Sequence, residues 1–325
     1  MLTITRLNNF GREHPGAVVA LGVFDGLHRG HQALIKKLTA KAKRSGHQSV
    51  ALTFEPHPQK IFRRTSQPFI LTTKPEKKFL LSRMGVDVMA VIRFSKSIAA
   101  MDPEQFVKKI IAQKLGAATV ICGEDCGFGA GRKGDIGLLK ALGMKYGFKV
   151  EGIAACKFKQ KKIGSTLIRR QIQKGLFNQA VKLLGHPYLI SGLVVKGRGV
   201  GRKLGYPTAN LKIKEKLKLI PLPGSYAARA VIGGKYFSGM LYIGRRPTLF
   251  NDKAVGLEFH SFKYPGNLYG RELILEAHKF IRPDRKFKSL DELKRAITGD
   301  QIKIKKYFNG KTAINQAVKK MHKSY

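Results

Sequence analysis

Two histidines spaced three residues apart, His28 and His31, end a glycine-rich run at residues 22–31 (GVFDGLHRGH). The run follows an apolar stretch and precedes a stretch with helical spacing, so it lies at a strand–turn–helix junction. Such a junction gathers backbone N–H groups and a helix N-terminus, which together attract anions. Gly22 and Gly30 let the backbone approach a phosphate, and imidazole N–H groups can neutralise charge on a transferring phosphoryl group. We interpret the run as a nucleotide site, since this context disfavours the alternative of two surface histidines.

Two further segments follow predicted strands and are expected at the same edge of the same sheet. Residues 53–58 (TFEPHP) end the second strand with two prolines that stiffen the chain, and His57 faces the opening. Residues 123–129 (GEDCGFG) follow the fourth strand and include Asp125. We expect both side chains at the rim of the nucleotide site, where the second segment can wrap an adenine or a ribose.

Residues 164–169 (GSTLIR) start a predicted helix after the fifth strand. The hydroxyls of Ser165 and Thr166 and the guanidinium of Arg169 suit a triphosphate. A plain helix N-cap is the alternative interpretation of the Ser-Thr pair. The sequence presents no Ser/His/Asp or Cys/His nucleophile arrangement, so the expected chemistry is direct in-line attack on phosphorus, driven by positioning and electrostatics.

A second glycine-rich segment, residues 197–210 (GRGVGRKLGYPTAN), carries three basic residues and leads into a predicted strand. Its spacing fits neither a Walker loop nor Gly-x-Gly-x-x-Gly, yet glycines and cations at this density can cradle phosphates. The glycines assigned to phosphates are Gly197, Gly199 and Gly205. Thr208 and Asn210 alternate along the strand and share a face, so their oxygens can hold Mg²⁺.

Glu258 lies between apolar neighbours on a predicted strand, within residues 256–260 (GLEFH). An acid in that place is a candidate general base, and a solvent-facing glutamate is the alternative. Arg282, within residues 280–283 (FIRP), can close over phosphates or simply end a strand.

The elements that must position these residues follow two patterns, which meet near residue 185. In the first half, apolar runs at 17–21, 49–54, 86–94, 118–122 and 149–155 alternate with helical stretches at 32–45, 75–84, 103–115 and 137–146. Alternation of strands and helices predicts a parallel sheet with right-handed crossovers, covered by helices. Ligands of such sheets bind at the carboxyl ends of the strands. The segments 22–31, 53–58, 123–129 and 164–169 fall at these ends.

After residue 185 the runs are short and alternate with a period of two. They span 189–195, 225–232, 236–243, 255–262 and 272–281, and they predict a small antiparallel barrel. Residues 289–292 (SLDE) form a capping box that starts a terminal helix running from 290 to about 308. A predicted helix over 168–184, ended by Gly185 and Pro187, joins the halves and gives domains at 1–185 and 186–325.

Composition restricts the class of protein. A hydrophobic fraction of 43% in 325 residues is that of a globular protein with room for two cores, and no apolar run approaches the roughly 20 residues of a membrane span. The N-terminus lacks a signal peptide's apolar core and three cysteines form no disulfide framework, so we expect a cytoplasmic protein with no membrane partner. The net charge of +42 is spread over both halves, which indicates a general basic bias with weak non-specific polyanion binding rather than a specific nucleic-acid site.

Taken in order, these motifs resemble those of the prokaryotic bifunctional FAD synthetases, which join an FMN adenylyltransferase to a riboflavin kinase. The resemblance runs from about residue 15 to 308 and rests on GVFDGLHRGH, FEPHP, GED-x-x-FG, ST-x-IR, GRKLGYPTAN, IGRRPT, LEFH, LYG and IRPDRKF. It implies an α/β fold: a Rossmann-like nucleotidylyltransferase domain with a parallel sheet, followed by a six-stranded antiparallel β-barrel with a C-terminal helix.

The resemblance also implies substrates and roles. In the kinase half, Glu258 would take the proton of the riboflavin 5′-hydroxyl, Thr208 and Asn210 would bind Mg²⁺ and ATP phosphates, and FMN would form. In the other half, the FMN phosphate would attack the α-phosphorus of ATP to give FAD and pyrophosphate, with His28 and His31 stabilising the transition state. ATP would contact Gly22, Phe24, Asp25, Gly30, Ser165, Thr166 and Arg169 in the first domain, and Gly197, Gly199, Gly205 and Arg282 in the second.

The chain departs from the family pattern at several site positions. In the first half these are Val23 for a usual asparagine, Gly164 for a serine, and Cys126 and Gly127 for an aromatic residue and commonly an arginine. In the barrel, Tyr242 replaces an asparagine and Ser225 a small apolar residue. Impaired adenylylation and lineage drift with compensation both explain the first set. A riboflavin kinase with a weak or inactive adenylyltransferase is therefore the second hypothesis, and a basic nucleic-acid-associated protein is the third.

Overall fold

The computed structural model describes residues 1–7, 9–62, 67–197, 199, 201, 205–245, 255–263 and 266–321, with the side chains of residues 245 and 311–321 outside that description. The chain divides into two compact units, Met1–Ile168 and Arg169–Tyr325. This division falls inside a helix, Ser165–Gln173. The division of the two activities at residue 185 stays a prediction.

Six strands of the first unit form one sheet in which every neighbouring pair is parallel. In sheet order they are β1 (Leu2–Ile4), β4 (Val88–Arg93), β3 (Ser49–Glu55), β2 (Ala17–Leu21), β5 (Ala117–Gly123) and β6 (Lys149–Ile153). The parallel sheet and its five predicted runs are confirmed as β2 to β6. Strand β1 was missed because three residues carry too little periodicity to be recognised.

Helices connect these strands and pack on the sheet. They span Phe10–Glu13, Arg29–Ser45, Pro58–Phe62, Lys74–Arg83, Lys96–Ala99, Pro103–Phe106, Ile136–Tyr146, a π-helix at Val107–Lys114 and a 3₁₀ turn at Ala130–Arg132. Arg29–Ser45 packs against β2, β3 and β5 with a face of four buried residues, Leu34, Ile35, Leu38 and Ala42. It ends where Gly46 adopts a left-handed φ of 70°, as helices commonly do.

The order of the strands creates a switch point at the end of β2. From β2 the chain proceeds to β3 and β4 on one side, and later to β5 and β6 on the other. Ligands of open parallel sheets bind in the crevice at such a point. Beyond β6 the chain forms a short antiparallel hairpin, β7 (Lys157–Phe158) and β8 (Lys161–Lys162), before the helix Ser165–Gln173.

The second unit is built on a closed six-stranded barrel in which every neighbouring pair is antiparallel. Around the barrel the strands are β9 (Tyr188–Val195), β10 (Ala209–Lys212), β13 (Val255–Ser261), β12 (Lys235–Arg245), β11 (Gly224–Ile232) and β14 (Glu272–Pro283), which pairs with β9. The barrel and its five predicted runs are confirmed. The sixth strand, β10, has four residues and is too short for the run analysis to find.

The C-terminal helix, Leu290–Met321, packs on one face of the barrel. Ile304 and Phe308 are buried with Ala227 of β11 and Met240 of β12, which are cross-strand partners. The helix starts where the capping box predicts. It continues past the predicted end near residue 308 because no proline follows to stop it.

The predicted single helix over 168–184 is wrong. Two helices, Ser165–Gln173 and Phe177–Leu184, occupy this stretch, because Gly175 adopts a φ of 75° and ends the first. The second of them packs on the barrel, where the Phe177 ring meets that of Tyr226 edge-on at 4.9 Å.

Candidate active sites

The run at residues 22–31 forms a tight turn after β2 that is held by its own apolar side chains. Phe24 and Leu27 adopt φ angles of 53° and 37°, which cost energy for residues other than glycine, and both are buried. The Phe24 ring lies over Gly22, where a Cβ would come within 2.9 Å of it. Packing of these side chains offsets the backbone strain and fixes the shape of the turn.

The two histidines lie where this turn enters the helix Arg29–Ser45. His28 precedes the first helical residue, and His31 lies in the first turn. Their rings stack with centroids 3.8 Å and planes 18° apart, and Phe24 meets His31 edge-on at 5.4 Å. Burial lowers the pKa of His31 well below its usual value, and the charges of His28 and Lys77 lower it further. His31 is therefore neutral at pH 7 and sits at a helix N-terminus.

Asp25 is buried beneath the turn and bound to backbone groups. Its Oδ1 accepts hydrogen bonds from the N–H groups of Leu71 and Thr72, both at 2.9 Å, and its Oδ2 lies 3.8 Å from His57 Nε2. Its own carbonyl accepts a hydrogen bond from Ser165 Oγ at 2.7 Å. Three predicted site residues, Asp25, His57 and Ser165, are thus brought into one network.

His57 lies just after β3 and is buried rather than open to the rim. The N–H of Gln59 donates to its Nδ1 at 3.1 Å, so in the neutral ring the proton is on Nε2, which faces Asp25. The Phe69 ring packs against it edge-on at 5.2 Å. These contacts hold the chain after β3 against the turn after β2, and a role at the rim stays a prediction.

A buried lysine, Lys77, adjoins this network and is not among the predicted site residues. Its Nζ donates to Thr53 Oγ1 and to Glu55 Oε1, both at 3.1 Å. Thr53 Oγ1 donates in turn to the carbonyl of Val23 in the turn, at 3.0 Å. Lys77 is therefore connected to the backbone of the histidine turn through one hydroxyl group.

The sequence contained a signal for this lysine. Lys77 precedes Leu80 and Leu81 by three and four residues, so it shares their apolar face of the helix Lys74–Arg83. A lysine in such a place is rarely buried unless it has a partner. A search for cations on apolar helix faces would have identified it.

The segment after β5 contacts the β7–β8 hairpin. Asp125 forms an ion pair with Lys162, which lowers the pKa of Asp125. Their side chains are 62% and 51% exposed, so the pair contributes little to stability. Cys156, at the base of the hairpin, lies close to the histidines, because a Cβ at Gly30 would be 4.0 Å from Cys156 and 3.3 Å from the His28 ring.

The Ser-Thr pair opens the helix Ser165–Gln173, with Arg169 one turn further along it. Ser165 Oγ is bound to the carbonyl of Asp25, while Thr166 is exposed. The N-terminus of this helix is thereby tied to the turn after β2. The alternative of a simple N-cap does not describe Ser165, whose hydroxyl bonds to a distant residue.

Aromatic rings form a row at the carboxyl end of β3 and β4. From the surface inward they are Phe62, Phe94, Phe54, Phe106 and Phe128, with successive centroids 5.7, 5.6, 6.3 and 6.1 Å apart. Phe62 is 67% exposed and Phe128 is buried. Sequence reasoning missed the row because its members come from separate segments that only the fold brings together.

In the second unit, the candidate base and the candidate metal ligands converge. Thr208 Oγ1 donates to Glu258 Oε2 at 3.1 Å, and Asn210 and Glu258 are cross-strand partners on β10 and β13. A Cβ at Gly197 would overlap the amide of Asn210, so the glycine-rich segment passes directly over that side chain. Hydroxyl, amide and carboxylate oxygens meet here, and Mg²⁺ prefers oxygen ligands.

Polar side chains continue in register from Glu258 around the barrel. Tyr242 of β12 pairs with Glu258, Ser225 of β11 with Tyr242, and Arg282 of β14 with Ser225. Cross-strand partners share a face of the sheet, so these four side chains belong to one face. Ser225 Oγ is buried and has no hydrogen-bond partner within the part of the chain that the structure describes.

Arg282 is held by the C-terminal helix. Its Nε donates to Asp300 Oδ2 at 2.8 Å and Oδ1 at 3.1 Å, and one terminal nitrogen donates to the Pro283 carbonyl at 3.2 Å. The Asp300 carboxylate is 2% exposed. Because a guanidinium has five N–H groups, this arrangement orients Arg282 and leaves donors for a phosphate. Asp300 was missed because its partner lies on a different element.

The glycine-rich segment is described in part. Gly199 and Gly205 adopt φ angles of 73° and 83°, which favour glycine. Three cations of the segment, Arg198, Arg202 and Lys203, lie outside the described residues, as do residues 246–248 of the IGRRPT motif.

A cavity of about 410 Å³ opens beside Thr208, within the range of small-ligand sites. Pro207, Phe259, Leu268 and Tyr269 contribute to its lining.

Comparison with known proteins gives a consistent result for the two halves. A family model described as FAD synthetase matches residues 11–167, and one described as riboflavin kinase matches residues 184–308. The chain is 37% identical over 313 residues to the bifunctional riboflavin kinase/FMN adenylyltransferase of Buchnera aphidicola subsp. Schizaphis graminum, covering 95% of this chain and 99% of that one. The corresponding proteins of Escherichia coli (strain K12) and Haemophilus influenzae are 35% and 33% identical, over 90% and 95% of this chain and 93% and 100% of theirs.

A solved structure with a similar fold is described as a macrolide-efflux protein from Streptococcus pneumoniae. It superposes with a TM-score of 0.79 and 28% identity, covering 93% of this chain and 98% of its own. Within the described residues, no helix combines the length and the apolar character needed to cross a membrane.

Proposed function

The chain belongs to the family of bifunctional riboflavin kinase/FMN adenylyltransferases, and from this premise we propose which residues perform its two reactions. The enzyme phosphorylates riboflavin to FMN and adenylylates FMN to FAD, with ATP as the co-substrate of both steps. We assign the first reaction to the residues around Glu258 and the second to the residues around the stacked histidines.

The hydrogen bond between Thr208 and Glu258 carries the kinase assignment, because it puts a carboxylate next to oxygen ligands. Glu258 takes the proton of the riboflavin 5′-hydroxyl as that oxygen bonds to the γ-phosphorus of ATP, and the bond to ADP breaks. Thr208 and Asn210 would hold Mg²⁺, which when bound neutralises phosphate charge. Arg282, oriented by Asp300, binds phosphate oxygens.

The stacked histidines at a helix N-terminus carry the adenylyl-transfer assignment. A phosphate oxygen of FMN attacks the α-phosphorus of ATP, and the bond to pyrophosphate breaks, leaving FAD. His28 and His31 donate hydrogen bonds to the α-phosphate as its negative charge increases. Thr166 and Arg169, with Ser165 and the helix N-terminus, bind the triphosphate.

The remaining predicted residues have supporting roles in this proposal. Gly22, Phe24 and Asp25 shape the turn, and Gly30 lets a phosphate approach the histidines. The exposed end of the aromatic row, Phe62, offers an aromatic ring against which a flavin ring can pack.

A second candidate is a riboflavin kinase whose adenylyltransferase is slow or inactive. The observation in its favour is that Val23 offers the turn only a carbonyl, bound by Thr53, where the family pattern has a polar side chain. Asp125 in addition forms an ion pair with Lys162. For either candidate, we further propose a cytoplasmic location and no specific nucleic-acid or membrane partner.

The test is a time course of the full chain with riboflavin, ATP and Mg²⁺. We expect FMN first and FAD later, with pyrophosphate released in proportion to FAD. Formation of neither product, under varied pH and reductant, would refute the assignment. FMN without FAD or pyrophosphate would select the second candidate.

The variant Glu258→Gln tests the kinase base. We expect FMN formation to fall at least about 100-fold, because proton removal by a positioned base contributes that much, while added FMN is still converted to FAD. Glu272→Gln, which changes an acid that is 59% exposed on β14, is the matched control and should retain kinase activity. A fully active Glu258→Gln enzyme would exclude Glu258 as the base.

A further inference from the structure

A buried cation, Lys77, adjoins the adenylyl-transfer site proposed above. Binding of substrate does not explain its role. The Lys77 side chain is 3% exposed, so it does not lie in the open crevice. Lys77 forms more than an ion pair, because its Nζ donates to the Thr53 hydroxyl as well as to Glu55. Burial of an ammonium group is costly, which implies that its charge or its bonds serve a purpose.

The hydrogen bonds of Lys77 lead to the turn that carries the histidines. Lys77 donates to Thr53, and Thr53 donates to the Val23 carbonyl, which precedes Phe24. The segment just before Lys77 binds the same turn a second time, because the Gly26 N–H donates to Thr72 Oγ1 at 2.7 Å. Lys77, through Thr53, and Thr72, just before the helix Lys74–Arg83, therefore support the turn at two points.

We propose that Lys77 is a positioning residue of adenylyl transfer: its buried ammonium group braces the histidine turn and supplies a fixed positive charge beside the imidazole pair. This inference rests on the proposed function of the first unit. The charge acts through the poorly polarisable interior, where electrostatic interactions extend further than in water. It favours the neutral form of His31, so that this imidazole acts as an N–H donor.

The sign of the electrostatic effect follows from the charged groups around His31. The cation of Lys77 opposes protonation of His31, as does His28. The lowered pKa of His31 agrees with dominance of burial and cations. Removing the charge of Lys77 must therefore raise this pKa.

The decisive variant is Lys77→Met, with Lys78→Met as the matched control, since Lys78 is the exposed neighbour in the same helix. In the full chain, we expect Lys77→Met to raise the pKa of His31 in an NMR titration of the imidazole protons, and Lys78→Met to leave it unchanged. We expect kcat of FMN adenylylation to fall about tenfold or more with a smaller change in KM for ATP, and riboflavin kinase activity of the same sample to persist. Lys77→Arg should restore the pKa and part of kcat.

An unchanged His31 titration in Lys77→Met, or equal kcat values for Lys77→Met and Lys78→Met, would overturn the proposal. Should Lys77→Met fail to fold, Lys77→Gln decides instead, because its amide can still donate to Thr53 and Glu55 while the charge is gone. An unchanged His31 titration in that variant would overturn the proposed role of the charge. The titration needs no turnover. An inactive wild-type adenylyltransferase would therefore count against the proposed function and leave the test of Lys77 intact.

Discussion

At the scale of single residues, a side chain in a candidate active site can form all its hydrogen bonds within the protein itself. The resemblance implies that Asp25 contacts ATP, yet its carboxylate, 3% exposed, accepts two backbone hydrogen bonds and faces His57. Buried polar groups must be satisfied, so this carboxylate fixes the position of residues 71 and 72 regardless of any ligand. Its first contribution is to the shape of the site.

We predict that Asp25→Ala destabilises the first unit by about 1–3 kcal/mol for each backbone N–H that loses this acceptor. Asp125→Ala is the control, because its ion pair with Lys162 is exposed and should change stability by about 0.5 kcal/mol or less. Denaturant unfolding monitored by a probe in the first unit measures both. Equal stability of the two variants would argue against a structural role of Asp25.

At the scale of elements, the C-terminal helix both stabilises the barrel and orients a phosphate-binding residue. Ile304 and Phe308 cover Ala227 and Met240, and Asp300 holds Arg282 one turn earlier in the same helix. Burial of these apolar side chains and orientation of the Arg282 guanidinium therefore both depend on packing of the C-terminal helix against the barrel. Loosening of this helix should weaken the kinase as well as the fold.

We predict that Ile304→Ala costs the second unit about 2–5 kcal/mol, since Ile304 is fully buried. Ile302→Ala, the same substitution at a residue that is 64% exposed in the same helix, should stay within about 0.5 kcal/mol of the wild type. Thermal unfolding and the KM of the kinase for ATP are the measurements. A lower stability of Ile302→Ala than of Ile304→Ala would contradict the described packing.

At the scale of the whole molecule, the net charge of +42 is the most unusual property. ATP and FMN carry anionic phosphates, and riboflavin does not. A positive field raises the local concentration of such anionic substrates near the protein. The same field attracts nucleic acids without regard to sequence. The third hypothesis, a nucleic-acid-associated protein, differs from this background in that its RNA binding persists near physiological salt.

We predict that binding to single-stranded RNA weakens at least about 1,000-fold between 50 and 200 mM salt, as counterion release requires when many phosphates are contacted. Two RNAs of unrelated sequence serve as the matched pair and should bind equally in a fluorescence titration. Tight binding of both RNAs that persists at 0.2 M salt would favour the nucleic-acid hypothesis.

The sequence predicted most of the fold because the relevant information is local. Periodicity located β2 to β6 and five barrel strands, and the capping box located the start of the C-terminal helix. Periodicity missed the short strands β1 and β10. It also missed the helix break at Gly175, which splits the helix predicted over 168–184. Short elements and helix breaks depend on tertiary contacts that periodicity does not contain.

For the sites, the sequence by itself located the candidate residues: His28 and His31 in one turn, and Thr208 and Asn210 on one face of a strand. Spacing and residue type suffice there, because the ends of parallel strands meet at one edge and alternate residues of a strand share a face. The stacking of the two imidazoles, the burial of Asp25 and the positions of Lys77 and Asp300 were decided only by the tertiary structure. These depend on contacts between residues far apart in the chain, such as the hydrogen bond from Ser165 to Asp25 across 140 positions. No local pattern records such contacts, since they form only when separate elements pack.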